Sequence, residues 1–247
     1  MVVHSLCADD SQSSESVKMM NIASLIVYGS CARGDNISTS DVDLLSLVSE
    51  GDYRMIVQNK INLALYPRTD AFEMARTGEL FMLHIVREGR ALIDFDADFE
   101  KLKAEFQFKS SYKKEIEHAT TLGWAIIKLG KNVKNFALVN KRIAWCVRTI
   151  LIAKAAEGKE AIFATQALSQ FANDLSITNL IENKNSSSSN LKIYRPFRDF
   201  LESWGSSKAD PELISMTDYK NQFQKSGNAV GLKTLKAFQG DAAFERY

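Results

Sequence analysis

Cysteine is scarce in this chain: three residues among 247, Cys7, Cys31 and Cys146, odd in number and unclustered. That count excludes a disulfide scaffold and a structural zinc site, and it points to a reducing cytoplasm. Long apolar runs are missing too. No stretch approaches the ~20 residues that a membrane span needs, so a membrane protein is not expected. Met1 to Ser16 is polar, carries Asp9, Asp10 and Glu15, and lacks the charged-then-apolar order of a secretion signal. No internal repeat is evident. What is left, 45% hydrophobic and 25% charged residues, suits a soluble chain long enough for two small domains.

The net charge of +1 hides an asymmetry. Residues 1–100 hold 8 Lys and Arg against 16 Asp and Glu, whereas residues 101–247 hold 23 against 14. Two readings stay open. Either two domains complement each other electrostatically, or the basic half faces the phosphates of a nucleotide or nucleic acid across an acidic site.

The chemistry concentrates between Leu25 and Val48. An apolar strand ends in Gly29-Ser30, a short helix follows, and a second strand opens with Asp41-Val42-Asp43. Gly29 permits a sharp turn that brings backbone N–H groups near an anion, and Ser30 offers a hydroxyl at a helix start, where a triphosphate is favoured. Asp41 and Asp43 are two residues apart, so on a strand both carboxylates project from one face. Such an oxygen-only pair suits Mg²⁺ or Mn²⁺, with the remaining ligands taken from water and substrate phosphates. Phosphoryl transfer asks for little beyond such positioning and charge neutralisation.

The order Gly29, Ser30, Arg33, Gly34, Ser40, Asp41, Asp43 resembles the signature of the DNA polymerase β-like nucleotidyltransferase superfamily. The resemblance implies an α/β fold: a polymerase β-like nucleotidyltransferase domain with a small mixed sheet over residues 1–95, then an all-α helical bundle over 96–247, with the nucleotide in the cleft between them. It makes Asp41 and Asp43 the metal ligands and catalytic acids, and assigns Gly29, Ser30, Arg33 and Ser40 to the nucleotide. Enzymes of this superfamily usually carry a third acid on a neighbouring strand. Here the residue facing the site from Lys60-Ile-Asn-Leu-Ala-Leu-Tyr66 is Asn62, which can orient a water or phosphate but is no base and a poorer Mg²⁺ ligand. Asp70 and Glu79 are the nearest other acids, although Asp70 also reads as a helix N-cap.

Strands are expected at about 24–28, 42–48, 60–66 and 91–94, with a leading helix over Met19–Ala23 and one helix from Ala71 to Arg87 stopped by Gly89. Phe81, His84 and Glu88 fall in a Phe-x-x-His-Ile-x-x-Glu-Gly run similar to that of many bacterial nucleotidyltransferases, where they hold helix on sheet. Downstream, Phe136, Val139, Ile143, Val147, Ile150 and Leu151 recur at helical spacing, and further helices are expected near 161–172, 191–204, 210–226 and 230–244. Asn183 to Asn190 reads as a flexible surface loop. Tyr112 beside Lys113 and Tyr194 beside Arg195 are candidates to stack a base.

The sequence given ends in Tyr247, whose phenol is a competent acceptor once its pKa is lowered from about 10. Chain length, the Asn62 strand, the Phe81–Gly89 run and Tyr247 together resemble the nucleotidyltransferase of bacterial Hailong anti-phage systems. That resemblance implies synthesis of short single-stranded DNA from dNTP, dATP in particular, primed on Tyr247, with the DNA restraining a partner membrane effector. Two other readings keep the site and change the outcome. One is a minimal nucleotidyltransferase antitoxin or antibiotic-modifying transferase that adds NMP to a protein or small-molecule hydroxyl. The other is an inactive nucleotide-binding module.

Overall fold

The structure is a computed structural model that describes residues 22–36, 38, 40–188 and 190–240. The chain opens with β1 (Ile22–Tyr28), the four-residue α1 (Ser30–Arg33) and β2 (Val42–Val48), continues through β3 (Arg54–Gln58), β4 (Ile61–Pro67), α2 (Arg68–Arg76) and α3 (Leu80–Glu88), and closes the sheet with β5 (Arg90–Asp94). Burial alternates along β1 with the period of two that a half-covered strand requires. Ile22 and Ala23 therefore belong to β1 and not to the expected leading helix. The sheet order is β3-β4-β2-β1-β5. It is mixed: β2 and β4 run parallel, while β1–β2, β1–β5 and β3–β4 are antiparallel.

β3 went unforeseen, because its residues are largely exposed and show no apolar alternation. The helix expected over 71–87 is two helices. Gly78 adopts φ +70°, and a Cβ there would lie 2.3 Å from the Gln107 carbonyl oxygen, so the chain turns where only glycine fits. Asp70 sits in the first turn of α2 behind Pro67 and caps nothing; it favours the helix dipole instead.

The remainder is helical: α4 (Asp98–Glu105), α5 (Lys113–Leu129), α6 (Phe136–Glu157), α7 (Thr165–Ala172), α8 (Ser176–Glu182), α9 (Tyr194–Trp204), α10 (Met216–Ser226) and α11 (Ala229–Phe238). Two hydrophobic cores result. One lies beneath the sheet around Ile26, Leu45, Leu47, Met82, Ile85 and Phe99; the other fills the helical part around Ile116, Ile143, Val147, Phe197 and Phe223. α3 serves both, since Met82 and Ile85 face the first core while Leu83 joins the second.

Candidate active site

Register places the central groups. Asp43 stands opposite Tyr28 on β1 and opposite Asn62 on β4. Asn62 Nδ2 donates to Asp43 Oδ1 over 2.9 Å. Asp41 immediately precedes β2, and its carbonyl accepts from the Cys31 thiol at 3.4 Å, tying α1 to the strand that carries the acids. Gly29 takes φ +72°, and a Cβ there would reach within 3.2 Å of Asp43 Oδ2. The glycine of the Gly-Ser pair is thus required by the close approach of the turn to the carboxylate, as well as by its backbone angle.

Asp43 is raised above the ordinary carboxylate range, first by desolvation and further by Asp41; the Asn62 hydrogen bond, His84 and Lys184 oppose the rise. A desolvated carboxylate beside a second one is an arrangement that a divalent cation relieves. Among the described residues, no three His, Cys, Asp or Glu side chains are placed to share a metal ion. The donor set that fits a hard cation is Asp41 and Asp43, with Asn62 where a further carboxylate would stand.

These groups line a cleft of about 970 Å³. Ser40, Asp41, Asp43, Asn62, Tyr53 and Tyr66 form its sheet side. The opposite wall comes from α6, where Ala137, Lys141, Ala144, Trp145 and Arg148 recur at intervals of three and four, and so make one stripe of the helix. Lys184, Ser186 and Lys233 complete it. Within Asn183 to Asn190, expected as a flexible surface loop, most described residues are exposed, and Lys184 to Ser187 also line the cleft. The first residues of this tract form a 3₁₀ turn, and the buried Asn140 of α6 donates to the carbonyls of Ser186 (3.0 Å) and Ser188 (3.2 Å).

Arg148 and Lys184 are both lowered from their usual pKa, chiefly by desolvation; next, Arg33 repels the former and Arg148 the latter. Lys184 is partly compensated by Asp43 and Asp41. Neither makes a hydrogen bond or ion pair among the described residues. Arg148 is half-buried and Lys184 exposed, and both line the cleft across from the carboxylate pair, so this wall carries positive charge toward it.

Not every expected residue joins them. Arg33 bridges Glu88 and Asp35, the latter at 3.1 Å, and is not among the cleft-lining residues. Glu88 also meets His84 Nε2 at 2.7 Å, and the His84 ring stacks on Phe163 at 4.4 Å and meets the edge of Tyr28. His84, Glu88 and Arg33 therefore tie α3, α1 and the helical part together. Glu79 pairs with Lys109 at 2.7 Å, away from the acids. Tyr112 and Tyr194 are buried in the helical core and cannot stack a base; the aromatic rings at the cleft are Tyr53, Tyr66 and Trp145. Tyr53 and Tyr66 lie 4.7 Å apart, and Tyr66 stacks on Phe81. Tyr247 lies outside the described residues. Sequence reasoning missed Arg148 and Lys184; the basic residues at 141 and 148, opposite the apolar positions of α6, are the signal that would have found the first.

The cleft thus brings a glycine turn and a carboxylate pair to face a wall of basic side chains. Residues 14–98 match the family model described as "Polymerase beta, Nucleotidyltransferase", and the mixed five-stranded sheet with its helices is a polymerase β-like fold. A nucleotidyltransferase-like protein from Exiguobacterium sibiricum 255-15 is similar over 90% of this chain and 87% of its own, at 13% identity and a TM-score of 0.36. No curated protein matches the chain. No described helix is long and apolar enough to cross a membrane.

Proposed function

We propose that this chain is a template-independent, Mg²⁺-dependent nucleotidyltransferase that builds short single-stranded DNA from dNTP, with dATP favoured and Tyr247 as first acceptor, as an anti-phage signal acting on a membrane effector. The observation that carries the reading is the charge of the cleft. Its acids are Asp41 and Asp43, whereas Lys141, Arg142, Arg148, Lys184 and Lys233 face them. A triphosphate and a growing oligonucleotide are polyanions and gain from such a wall. An aminoglycoside acceptor is a polycation and would be repelled by it, which disfavours the antibiotic-modifying alternative.

Asp41 and Asp43 would hold Mg²⁺ or Mn²⁺, which supplies charge neutralisation at the triphosphate. The remaining steps fall to the chain itself. The Gly29–Ser30 turn presses against Asp43 and fixes it. Arg148 and Lys184 receive the phosphates, and Tyr53, Tyr66 and Trp145 offer faces for bases. The acceptor hydroxyl oxygen bonds to the α-phosphorus, the bond to the β-phosphate oxygen breaks, and pyrophosphate leaves. The hydroxyl proton passes to water, because Asn62 cannot accept it.

The test is incubation with labelled dNTP and Mg²⁺, followed by separation of products. Label is expected on the protein and in oligomers, and it should be absent with Asp41→Ala/Asp43→Ala. A fully active Tyr247→Phe removes priming but leaves the enzyme class. Mg²⁺-dependent nucleotide binding with no pyrophosphate release would favour the binding-module reading that Asn62 invites.

A further inference from the structure

We infer that a second cavity, in the helical part, binds a nucleoside monophosphate at a site separate from the carboxylate pair. The two hollows share no lining residue, and nothing in the second depends on a metal.

The cavity arises where α9 hands over to α10. α9 ends at Gly205, where a Cβ would lie 2.5 Å from the Leu201 carbonyl oxygen and 2.9 Å from the Thr120 side chain, so the backbone passes tight against α5. Beyond it, the Ser206 N–H donates to Thr120 Oγ1 over 3.1 Å, and the Trp124 indole N–H donates to the Ser207 carbonyl over 3.0 Å. The stretch from Lys208 to Leu213 then encloses a hollow of about 540 Å³ against α5, α9 and α10, a size usual for small-molecule sites.

Its buried part is apolar, built from Trp124, Ile127, Leu213 and the Tyr219 ring. One polar group is left over there. Tyr219 is 2% exposed, yet no hydrogen bond reaches its hydroxyl among the described residues, and the oxygen is not sealed from solvent. The little surface that this residue keeps therefore opens on the cavity. Burial first, then Asp210 and Asp218, push the phenol up to about 12, so at neutral pH it holds its proton and can donate. Buried donors rarely go without a partner, and a ligand that accepts is the simplest complement.

The rim supplies charge. Lys128, Arg198 and Lys208 are exposed around the opening, and none forms an ion pair among the described residues. Asp210 Oδ1 already accepts from the Glu212 backbone N–H at 2.9 Å, which leaves Glu202 as the rim carboxylate without a partner among the described residues. Three cations over an apolar floor with one hydroxyl donor suit a phosphate attached to a planar ring, and Glu202 can accept from a sugar hydroxyl or an exocyclic amine. A nucleoside 5′-phosphate has that division of chemistry, whether free or at the end of a strand.

Calorimetry on the full chain in EDTA, which silences metal-dependent binding at the cleft, tests this with dAMP as the probe. One dAMP per chain is expected. Tyr219→Phe removes only the hydroxyl and should weaken binding about tenfold. Its melting temperature should not fall, because that hydroxyl bonds nothing inside the chain. Arg198→Ala/Lys208→Ala should weaken binding by about tenfold or more, and so should loss of the phosphate in deoxyadenosine. A 5′-phosphorylated oligo-dA that matches dAMP supports a strand end as the source, and one that binds more weakly supports the free nucleotide. No binding of dAMP, equal binding of deoxyadenosine, or binding that neither set of substitutions changes overturns the inference, and the hydroxyl then meets only water. Asp41→Ala/Asp43→Ala should leave dAMP binding intact while abolishing label transfer from dNTP, so failure of this site and failure of the proposed reaction are told apart.

Discussion

Asp43 concentrates the energetics of the site at the residue scale. Desolvation raises its pKa, so the folded chain holds this proton at a pH where the unfolded chain has released it. The sign follows: between the ordinary carboxylate value of 3.8 and the raised one, the native state binds more protons, and stability contributed by this group falls as pH rises through that window. Metal binding runs the other way, because the ligand must be ionised. Mn²⁺ affinity is therefore expected to weaken on acidification from a pH above the usual carboxylate range, and Asn62→Leu, which removes the opposing hydrogen bond, should move that break upward. A Mn²⁺ titration repeated across pH reads both; a break that stays put in Asn62→Leu would show that the amide does not tune the acid. Loss of this outer partner should also cost about 10- to 100-fold in metal affinity. Gly29→Ala is a second expectation here. Its Cβ would crowd Asp43 Oδ2, and the positive-φ, extended backbone, which is essentially glycine-only, would cost about 1–3 kcal/mol, so activity should fall more than the melting temperature suggests.

Elements explain which parts of the site were legible in the sequence. Gly29, Ser30, Asp41 and Asp43 lie in one local run, and the strands on either side carry ordinary apolar patterns, so their convergence could be read directly. β3 could not, because an exposed edge strand needs no alternation. The split between α2 and α3 turns on a clash of Gly78 with the Gln107 backbone, a contact that no local pattern announces. The tract 183–188 is at the surface as its composition suggests, but its place beside the cleft was not legible for a related reason. Its polar composition cannot drive burial, and a single buried side chain, Asn140, holds it to α6 through the carbonyls of Ser186 and Ser188. Asn140→Leu should thus cost about 1–3 kcal/mol through unmet carbonyls, and should free the tract. Hydrogen exchange is the direct measurement: protection at 184–188 should drop while α6 stays protected, and nucleotide affinity should decline as Lys184 loses its anchor. Unchanged exchange would mean that the tract is held by something else.

For the whole molecule, the asymmetry of charge along the chain becomes a division of labour across the cleft. The acids come from the sheet side, and α6 together with residues 184 and 233 brings cations from far downstream, which is why composition gave the asymmetry and only the fold gave its address. The two walls belong to different hydrophobic cores that share α3 and the His84–Glu88–Arg33 contacts. A nucleotide bound to Asp41 and Asp43 through a cation, and to Arg148 and Lys184 directly, would touch both cores and be lost when either unfolds. Binding should then stabilise the chain as one unit. At a ligand concentration one hundred times Kd the gain is about 2.7 kcal/mol, and for a chain of this size each kcal/mol raises Tm by about 2–4 °C. With dATP and Mg²⁺ together, a single melting transition is expected to move up by about 5–10 °C. Neither component alone should reproduce it, because the triphosphate without its cation meets two bare carboxylates. In Arg148→Ala/Lys184→Ala the shift should shrink, and the remainder should become less sensitive to salt than in the unaltered chain, since the cations that attract the triphosphate are the ones that salt screens. If only the lower of two separate transitions moved, the ligand would be bound by one core alone, and the cleft would not be the site.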